Sequence, residues 1–386
     1  MGRRDGHLRS RLRPPVLTTA ALLALGLVAS SCAAPSRMTP PTHGERVPAV
    51  LRHPWHDIRH HVGDRFRNLH RNRGPLPIVR ISAWTVGQAL RRKEQTPAPT
   101  ADRPDARVAL AERPARVRAT WLGHASVYLQ TPDLDVLLDP VFSRRVGPFA
   151  SVGLARETGL PIGLEDLPSV DVVVLSHDHY DHADARSVRD LAGRFDPLFI
   201  VPLGMGHYVR DWTGDRARVA ELDWWEYVEL SSAGLPDYRL HATPAEHNSG
   251  RQATNRDRTL WAGWFLEGEG GRKGAARVSV FYGGDTGYGP HFSDVRAHLG
   301  APDVAVLPIG AYRPAWFLNY VHLDPGEAVQ AFVDLEAGHL LPVHWGTFDL
   351  AEEPLDEPPR LARHAAEALG VGDRLHVVPV GASLEF

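Results

Sequence analysis

The sequence predicts a layered α/β sandwich, on three observations. Short apolar runs of strand length recur beyond Arg116. Helical stretches with recognisable start and stop signals are interleaved with them. The 386-residue chain is 43% hydrophobic, enough for one large core or two packed halves. Strands are expected at 117–122, 126–130, 135–138, 170–175, 198–202, 238–243, 278–282, 304–308 and 340–344. The run Asp171-Val172-Val173-Val174-Leu175 is nearly all apolar and so marks a strand covered on both faces. Helices are expected at 185–192, at 325–335 with Pro325 in the first turn, and at 359–369, which stops at Gly370.

The chain begins differently. Arg3, Arg4, Arg9, Arg11 and Arg13 precede an apolar stretch, 16–28, that ends in Ala29-Ser30-Ser31 before Cys32. That is the layout of a secretory signal, and the stretch is shorter than the roughly 20 residues needed to cross a bilayer. Arg3-Arg4 lacks the rest of a twin-arginine motif. Residues 1–31 are read as a signal peptide of lipoprotein type, because small residues followed directly by the chain's one cysteine resemble a bacterial lipoprotein cleavage site. Cys32 would then carry the lipid and anchor an exported protein to a membrane of the cell envelope. Ala29 stands where such sites usually carry leucine, so an ordinary signal peptide remains the alternative. Residues 32–115, rich in proline, arginine and histidine, read as a tether and N-terminal wrapping arm, with amphipathic promise at 78–90; residues 116–386 read as the catalytic domain.

Composition narrows the chemistry. A formal net charge of −3, with both signs spread along the chain and no basic stripe interleaved with aromatics, argues against nucleic acid as a partner. A single cysteine excludes a disulfide framework and any cysteine-rich metal site, so metal ligands must be histidine or carboxylate. The 21 histidines make that supply ample, though His53, His56, His60 and His61 are expected in solvated loops.

The buried run at 171–175 stops at Ser176 before His177-Asp178-His179-Tyr180-Asp181-His182. Alternation puts His177 and His179 on one side of the loop start, where their imidazoles can bracket one metal, while Asp181 and His182 can reach a second. Asp285, in Phe281-Tyr282-Gly283-Gly284-Asp285-Thr286-Gly287, and His344, in Leu340-Leu341-Pro342-Val343-His344, also sit at ends of apolar strands, and His247 follows the strand at 238–243. Ligands at strand ends converge on one rim. The glycines before Asp285 read as giving the backbone a close approach to the metals.

The HDHYDH motif with later His247, Asp285 and His344 is similar to the metallo-β-lactamase superfamily. Within it, Trp121-Leu122-Gly123-His124-Ala125-Ser126, Glu221-Leu222-Asp223-Trp224-Trp225, Gly284-Asp285-Thr286-Gly287-Tyr288, Pro308-Ile309-Gly310-Ala311-Tyr312 and Val343-His344-Trp345-Gly346-Thr347-Phe348 resemble the N-acylphosphatidylethanolamine-hydrolysing phospholipase D family, over about 118–359. The resemblance implies a four-layer αββα sandwich. It implies two zinc ions, one on His177, His179 and His247, the other on Asp181, His182 and His344, bridged by Asp285; iron or manganese suits the same donors. A shared water made acidic by both ions would serve as hydroxide, Asp181 would orient it, and His322 is a candidate to contact substrate or protonate the leaving group. His124 and Asp139 read as supports behind the ligands, Asp139 taking an imidazole N–H from the ligand loop. One departure is that Asn248-Ser249-Gly250-Arg251-Gln252 follows His247 where the family carries an aromatic residue, which puts the substrate pocket in question.

Of Trp224, Trp225, Trp261, Trp264, Trp316 and Trp345, most are expected in the core; Trp316-Phe317-Leu318 is the choice for a lipid-facing groove. Three functional readings follow. The first is a dinuclear zinc phosphodiesterase of phospholipase D type, releasing phosphatidic acid and an N-acylethanolamine from N-acylphosphatidylethanolamine-like lipids at a membrane. The second is a metal-dependent lactonase or esterase on a small phosphorylated substrate, against which export argues. The third is a non-catalytic, metal-binding envelope lipoprotein.

Overall fold

Alternation along single strands divides the interior into two cores. Val136, Leu138, Val172, Val174, Leu198 and Ile200 belong to one apolar cluster, while the intervening Leu137, Val173, Leu175, Phe199 and Val201 belong to another. Such strands are buried on both faces and can only be the middle of a layered structure. The computed structural model describes residues 47–70, 95–149, 152–214, 217–252, 254–269 and 277–386, together with Arg80, Ala83, Trp84 and Gly87. The signal segment, Cys32 and most of 78–90 lie outside the described residues.

In chain order, β1 (Val50–Arg52), β2 (His61–Val62) and β3 (Arg65–Phe66) precede α1 (Arg103–Ala111), β4 (Arg118–Gly123), β5 (Ser126–Gln130) and β6 (Asp135–Leu138). The antiparallel pair β7 (Arg145–Phe149) and β8 (Val152–Ala155) leads to β9 (Val172–Val174), α2 (Ala185–Phe195), β10 (Leu198–Pro202), α3 (Gly206–Thr213) and β11 (Arg218–Leu222). There follow β12 (Glu226–Glu229), β13 (Tyr238–Thr243), β14 (Gly263–Glu269), β15 (Arg277–Tyr282), α4 (His291–Leu299), β16 (Val304–Pro308), α5 (Ala315–Leu318), α6 (Pro325–Asp334), β17 (His339–Val343), α7 (Glu357–Ala368) and β18 (Ser383–Glu385).

Two seven-stranded sheets result, ordered β1-β12-β13-β14-β15-β16-β17 and β11-β10-β9-β6-β5-β4-β18. Their facing sides share the larger core with Trp121, Trp224, Trp261, Trp264 and Phe265. The outer side of the second sheet is covered by α1, α2 and α3 through Ala106, Leu110, Val188, Leu191 and Val209. On the other side α6 packs on β16 and against α4 and α7. The arrangement is the four-layer αββα sandwich. Strands β6, β9, β10 and β11 run parallel, as do β15, β16 and β17, so their C-terminal ends open onto one edge, where open α/β sheets place ligands.

The segment before 116 takes more regular structure than its composition predicts. Val50–Arg52 pairs with β12, Val50 opposite Val228, and α1 lies under the second sheet. Among the described residues no helix is long and apolar enough to cross a membrane.

Candidate metal centre

The ligand loop is held at both ends. Asp139, ending β6, accepts Ser176 N–H on Oδ1 at 2.7 Å, just past β9. At the far end Asp184 caps α2 by accepting Arg186 N–H, a contact worth about 1 kcal/mol. Between them His177, His179, Asp181 and His182 turn their side chains toward one centre.

Three imidazole nitrogens meet first. His177 Nε2 lies 2.9 Å from His179 Nδ1, and His247 Nε2 lies 3.3 Å from that same atom. The far nitrogens fix the tautomers. His177 Nδ1 donates to Ser176 Oγ at 2.9 Å and His247 Nδ1 donates to the Val321 carbonyl at 2.7 Å, leaving both Nε2 lone pairs facing the common point. Asp181, His182 and His344 form the second group. Asp181 Oδ2 stands 3.7 Å from His182 Nε2 and 3.6 Å from His344 Nε2. Asp285 lies between, with Oδ2 3.1 Å from His182 Nε2 and 3.9 Å from His247 Nε2, and Oδ1 3.2 Å from His344 Nε2.

Behind the ligands, Asp139 receives His182 Nδ1–H at 2.6 Å, Tyr282 O–H at 2.6 Å and Ser176 O–H. His124 Nε2 contacts Asp181 Oδ2 at 2.9 Å. Gly284, with φ +57, lets the chain leaving β15 pass against the ligand loop, since a Cβ there would fall 2.6 Å from Ser176 Cβ. The close approach made by this glycine is to Ser176 of that loop.

Burial opposes the charge on Asp285, yet His182, His344 and His322 outweigh it and hold its pKa well below the carboxylate range. Burial likewise opposes charge on His182, and Asp285, Asp181 and Asp139 overcome it, raising that imidazole well above its ordinary value. His344 rises the same way, against burial, to about 9 under Asp285 and Asp181. Burial and the neighbouring imidazoles push His177 and His247 well below theirs. The centre thus wants positive charge beside its carboxylates and rejects it among the three histidines. His182 Nε2, His344 Nε2 and Asp285 Oδ1 are buried without hydrogen-bond geometry to any partner. Imidazoles kept uncharged on one side, and on the other buried imidazole and carboxylate atoms that lack partners and draw positive charge, together fit a divalent metal cation.

His322 joins this group: its Nδ1, buried and unpartnered, is 3.7 Å from Asp285 Oδ2. Burial and His344 lower it to about 4 against the pull of Asp285, so it is neutral near pH 7. Trp224, Trp225, Trp261, Trp264 and Trp345 are buried, while Trp316 is half-buried beneath the Arg80 guanidinium.

The expectation of solvated loop histidines is corrected. His56, His60 and His61 are not a solvated fringe: all three imidazoles point at Asp223, and His60 is 1% exposed. His53 contacts His241 Nδ1 at 2.9 Å and stacks on Trp55. Their partners lie more than 160 positions away, and no local pattern announces them.

The segment after His247 turns out to clamp the ligand loop. Gly250 N–H donates to Asp178 Oδ1 at 2.6 Å, and Arg251 donates to the carbonyls of Asp178 and Ala183, both at 2.8 Å, with its guanidinium 4.0 Å over the Tyr180 ring. Ser176, Tyr282, Arg251 and Asn68, whose Oδ1 accepts His247 N–H at 3.0 Å, are site residues the sequence did not single out. Ser176 and Tyr282 at least stand at the ends of recognisable strands.

Comparison with known proteins agrees with this geometry. A family model described as a beta-lactamase superfamily domain matches residues 135–345. An uncharacterized protein of Mycobacterium tuberculosis is 41% identical over 256 residues, 66% of this chain and 65% of that one. The mitochondrial N-acyl-phosphatidylethanolamine-hydrolyzing phospholipase D of Saccharomyces cerevisiae is 35% identical over 264 residues, covering 68% of this chain and 54% of its own. This chain therefore spans between half and two thirds of the length of these curated relatives. Among solved structures, a metallo hydrolase from Ignicoccus hospitalis superposes with a TM-score of 0.51 at 23% identity, over 70% of this chain and 99% of that one. Isothiocyanate hydrolase from Delia radicum gut bacteria gives 0.52 at 15%, over the same shares, a likeness of fold alone. Ligand loop, strand-end carboxylate and imidazoles, and the matched family model together place this chain in the metallo-β-lactamase superfamily.

Proposed function

We propose that the protein is a dinuclear zinc hydrolase, a phosphodiesterase of phospholipase D type acting on N-acylphosphatidylethanolamine-like lipids. The observation that carries the hydrolase is the convergence of His177, His179 and His247 beside Asp181, His182, His344 and Asp285. The lipid substrate rests on 35% identity to a phospholipase bearing that name. Bound at these residues, a pair of divalent ions lowers the pKa of water toward neutrality and polarises the oxygens of a phosphodiester. In the reaction water adds to phosphorus, the bond from phosphorus to the N-acylethanolamine oxygen breaks, and that oxygen leaves with a proton.

The chain's own groups have distinct parts. Asp181, kept ionised and 2.9 Å from His124 Nε2, is with His179 one of the two ligands that are not fully buried, with 15% of its side chain open, and its carboxylate is the acceptor that orients the attacking water. His322 is a neutral imidazole at the rim and hydrogen-bonds a phosphoryl or leaving-group oxygen. α5, with Trp316 and Phe317, leads directly into Val321-His322 and carries a half-buried apolar surface suited to an acyl chain. The signal layout and Cys32 extend this reading to an exported enzyme tethered at the membrane that holds its substrate, which raises the local substrate concentration.

The test incubates zinc-loaded protein, beginning at Cys32, with N-acylphosphatidylethanolamine in micelles and measures phosphatidic acid. His179→Ala and Asp285→Asn serve as controls. Release by the parent alone supports both substrate and ligands. Silence from a metal-replete parent overturns the lipid reading and directs the search to small phosphorylated lactones and esters.

A further inference from the structure

A second cluster of imidazoles lies on the arm. His60 and His61, at the start of the β2–β3 hairpin, and Asp223, in the turn between β11 and β12, each offer a donor atom, and these atoms lie within 4.8 Å of one another. His60 Nε2 is 2.6 Å from Asp223 Oδ1 and His61 Nε2 is 2.8 Å from Oδ2. His56 contributes a third imidazole, its Nε2 3.3 Å from Asp223 Oδ2. The rings are fixed in place: His60 stacks on Trp224 at 4.1 Å and meets the His61 ring edge-on at 4.5 Å. Asp223 is fixed too, since its own N–H donates to Glu226 Oε2 at 2.8 Å and Trp224 N–H donates to its Oδ1 at 2.8 Å. His60 and Asp223 are buried, whereas 33% of the His61 side chain is open, which leaves a path for an ion.

Three Nε2 atoms turned onto one carboxylate form a donor set of three nitrogens and one oxygen, without thiolate and without the many oxygens that calcium or magnesium takes. That set suits a four-coordinate transition ion, with a closed shell of the kind found in structural sites. We propose that His60, His61 and Asp223, with His56 as the fourth ligand, bind one divalent transition ion, Zn2+ foremost, and that this ion clips the arm onto the β11–β12 turn. The site is separate from the centre at His177 to His344 and lies outside its chemistry. Its consequence reaches that centre by two routes. Beyond the hairpin, Asn68 Oδ1 accepts the His247 N–H, and His70 N–H donates to Glu246 Oε1 at 3.1 Å. From the turn, Trp224 Nε1–H donates to the Trp261 carbonyl at 2.6 Å, and Trp261 Nε1–H to the Ala245 carbonyl at 2.9 Å. Pinning Asp223 to the hairpin therefore steadies both sides of the backbone that carries the ligand His247.

The competing account is a hydrogen-bond cage in which the imidazoles donate N–H to Asp223 with no ion. Glutamine at position 61 separates the two, because its amide still donates to the carboxylate while making a poor transition-metal ligand. The experiment uses the full chain with His179→Ala and Asp285→Ala, stripped with chelator, dialysed against Zn2+ and assayed for bound metal. Hydrogen exchange over residues 56–70 is followed with and without Zn2+, and Co2+ loading reports geometry by visible absorption. The expected result is that adding His61→Gln removes one equivalent of Zn2+, that Zn2+ slows exchange at 56–70 by at least tenfold only when His61 is present, and that Co2+ gives tetrahedral bands. Equal Zn2+ content with and without His61→Gln, or exchange at 56–70 indifferent to Zn2+, overturns the proposal in favour of the cage. Should the doubly substituted chain fail to fold, the parent and its His61→Gln variant are compared directly; one equivalent fewer in the variant supports the site and an equal count overturns it.

Discussion

Replacing Asp139 by asparagine tests whether the tautomer of His182 governs the metal centre. Asp139 is fully buried and accepts from Ser176 N–H, Ser176 O–H, Tyr282 O–H and His182 Nδ1–H. An asparagine keeps its oxygen on Ser176 N–H, which places its NH2 group toward His182. Metal binding needs His182 neutral with a bare Nε2 and its one proton on Nδ1; in the variant that N–H faces the asparagine NH2, so the neutral ring favours the other tautomer, with its proton on Nε2, the atom that faces Asp285. A protonated Nε2 cannot ligate, so metal must bind against that tautomer preference. Loss of such an orienting partner typically lowers metal affinity about 10–100-fold, which is roughly 1.4–2.8 kcal/mol. The metal-free fold suffers less. Tyr282 O–H has an alternative acceptor in the Ala125 carbonyl at 3.4 Å, and the exchanged hydrogen bonds are worth about 1 kcal/mol each. Competition of parent and variant against a zinc chelator, with thermal unfolding of both metal-free forms, measures the two quantities separately. Zinc affinity in the variant within twofold of the parent would refute the reasoning, as would an affinity loss wholly matched by loss of metal-free stability.

Four further outcomes are expected. Metal-free protein is most stable near pH 6.5. His344 and His182, raised in the fold, hold extra protons that stabilise below the unfolded value and are lost as pH climbs toward 9, while the depressed His177 and His247 cost stability as pH falls below 6.5; melting of chelator-treated protein across pH 5–9 reads this. Gly284→Ala forces a side chain into left-handed backbone and against Ser176, costing about 2 kcal/mol, measured by denaturant unfolding of the metal-free form. Arg251→Lys loses the paired grip on the Asp178 and Ala183 carbonyls and its packing on Tyr180, so zinc dissociates faster with little change in secondary structure, followed by stopped-flow chelation. Trp316→Ala lowers turnover of N-acylphosphatidylethanolamine in vesicles several-fold while a soluble phosphodiester is cleaved as before; equal loss on both substrates removes α5 from lipid contact.

How much of this was legible in the sequence depends on the range of the interaction. The ligand loop announces itself because a fully apolar strand, β9, must end where polar side chains begin, and β6, β15 and β17 deliver Asp139, Asp285 and His344 by the same rule. Edge strands β1, β2, β3 and β18 span two or three residues and have too little periodicity to read. β14 offers only the three-residue apolar run Trp264-Phe265-Leu266, and β11 and β12 flank the Asp223-Trp224-Trp225 turn with too few apolar residues to mark them. The arm histidines were misread for another reason. Polar loops are usually solvated, and what overrides that tendency here is a buried carboxylate 162 positions from His61.

Backbone strain links the fold to the chemistry. His124, Asp139 and His344 all have positive φ, at 52°, 38° and 64°, in a region that residues other than glycine enter at a cost of roughly 1–2 kcal/mol. All three sit where a strand ends at the metal centre, and each is held by a hydrogen bond from its own backbone N–H. His124 donates to Thr347 Oγ1 at 2.8 Å, Asp139 to the Val174 carbonyl at 2.9 Å and His344 to the His124 carbonyl at 2.9 Å. Two of these bonds tie a strand end of one sheet to a strand end of the other, so the strained turns are not independent. Together they bend three polar side chains out of the strand direction and into one small volume, where relaxed strand ends would spread them apart. Restoring ordinary backbone at any one of them therefore relieves strain and opens the donor set, which predicts that Thr347→Val, lacking the acceptor for His124 N–H, weakens zinc binding more than it lowers metal-free stability. Chelator competition and thermal unfolding of that variant decide it, and a stability loss equal to or larger than the affinity loss would show Thr347 acting in packing alone.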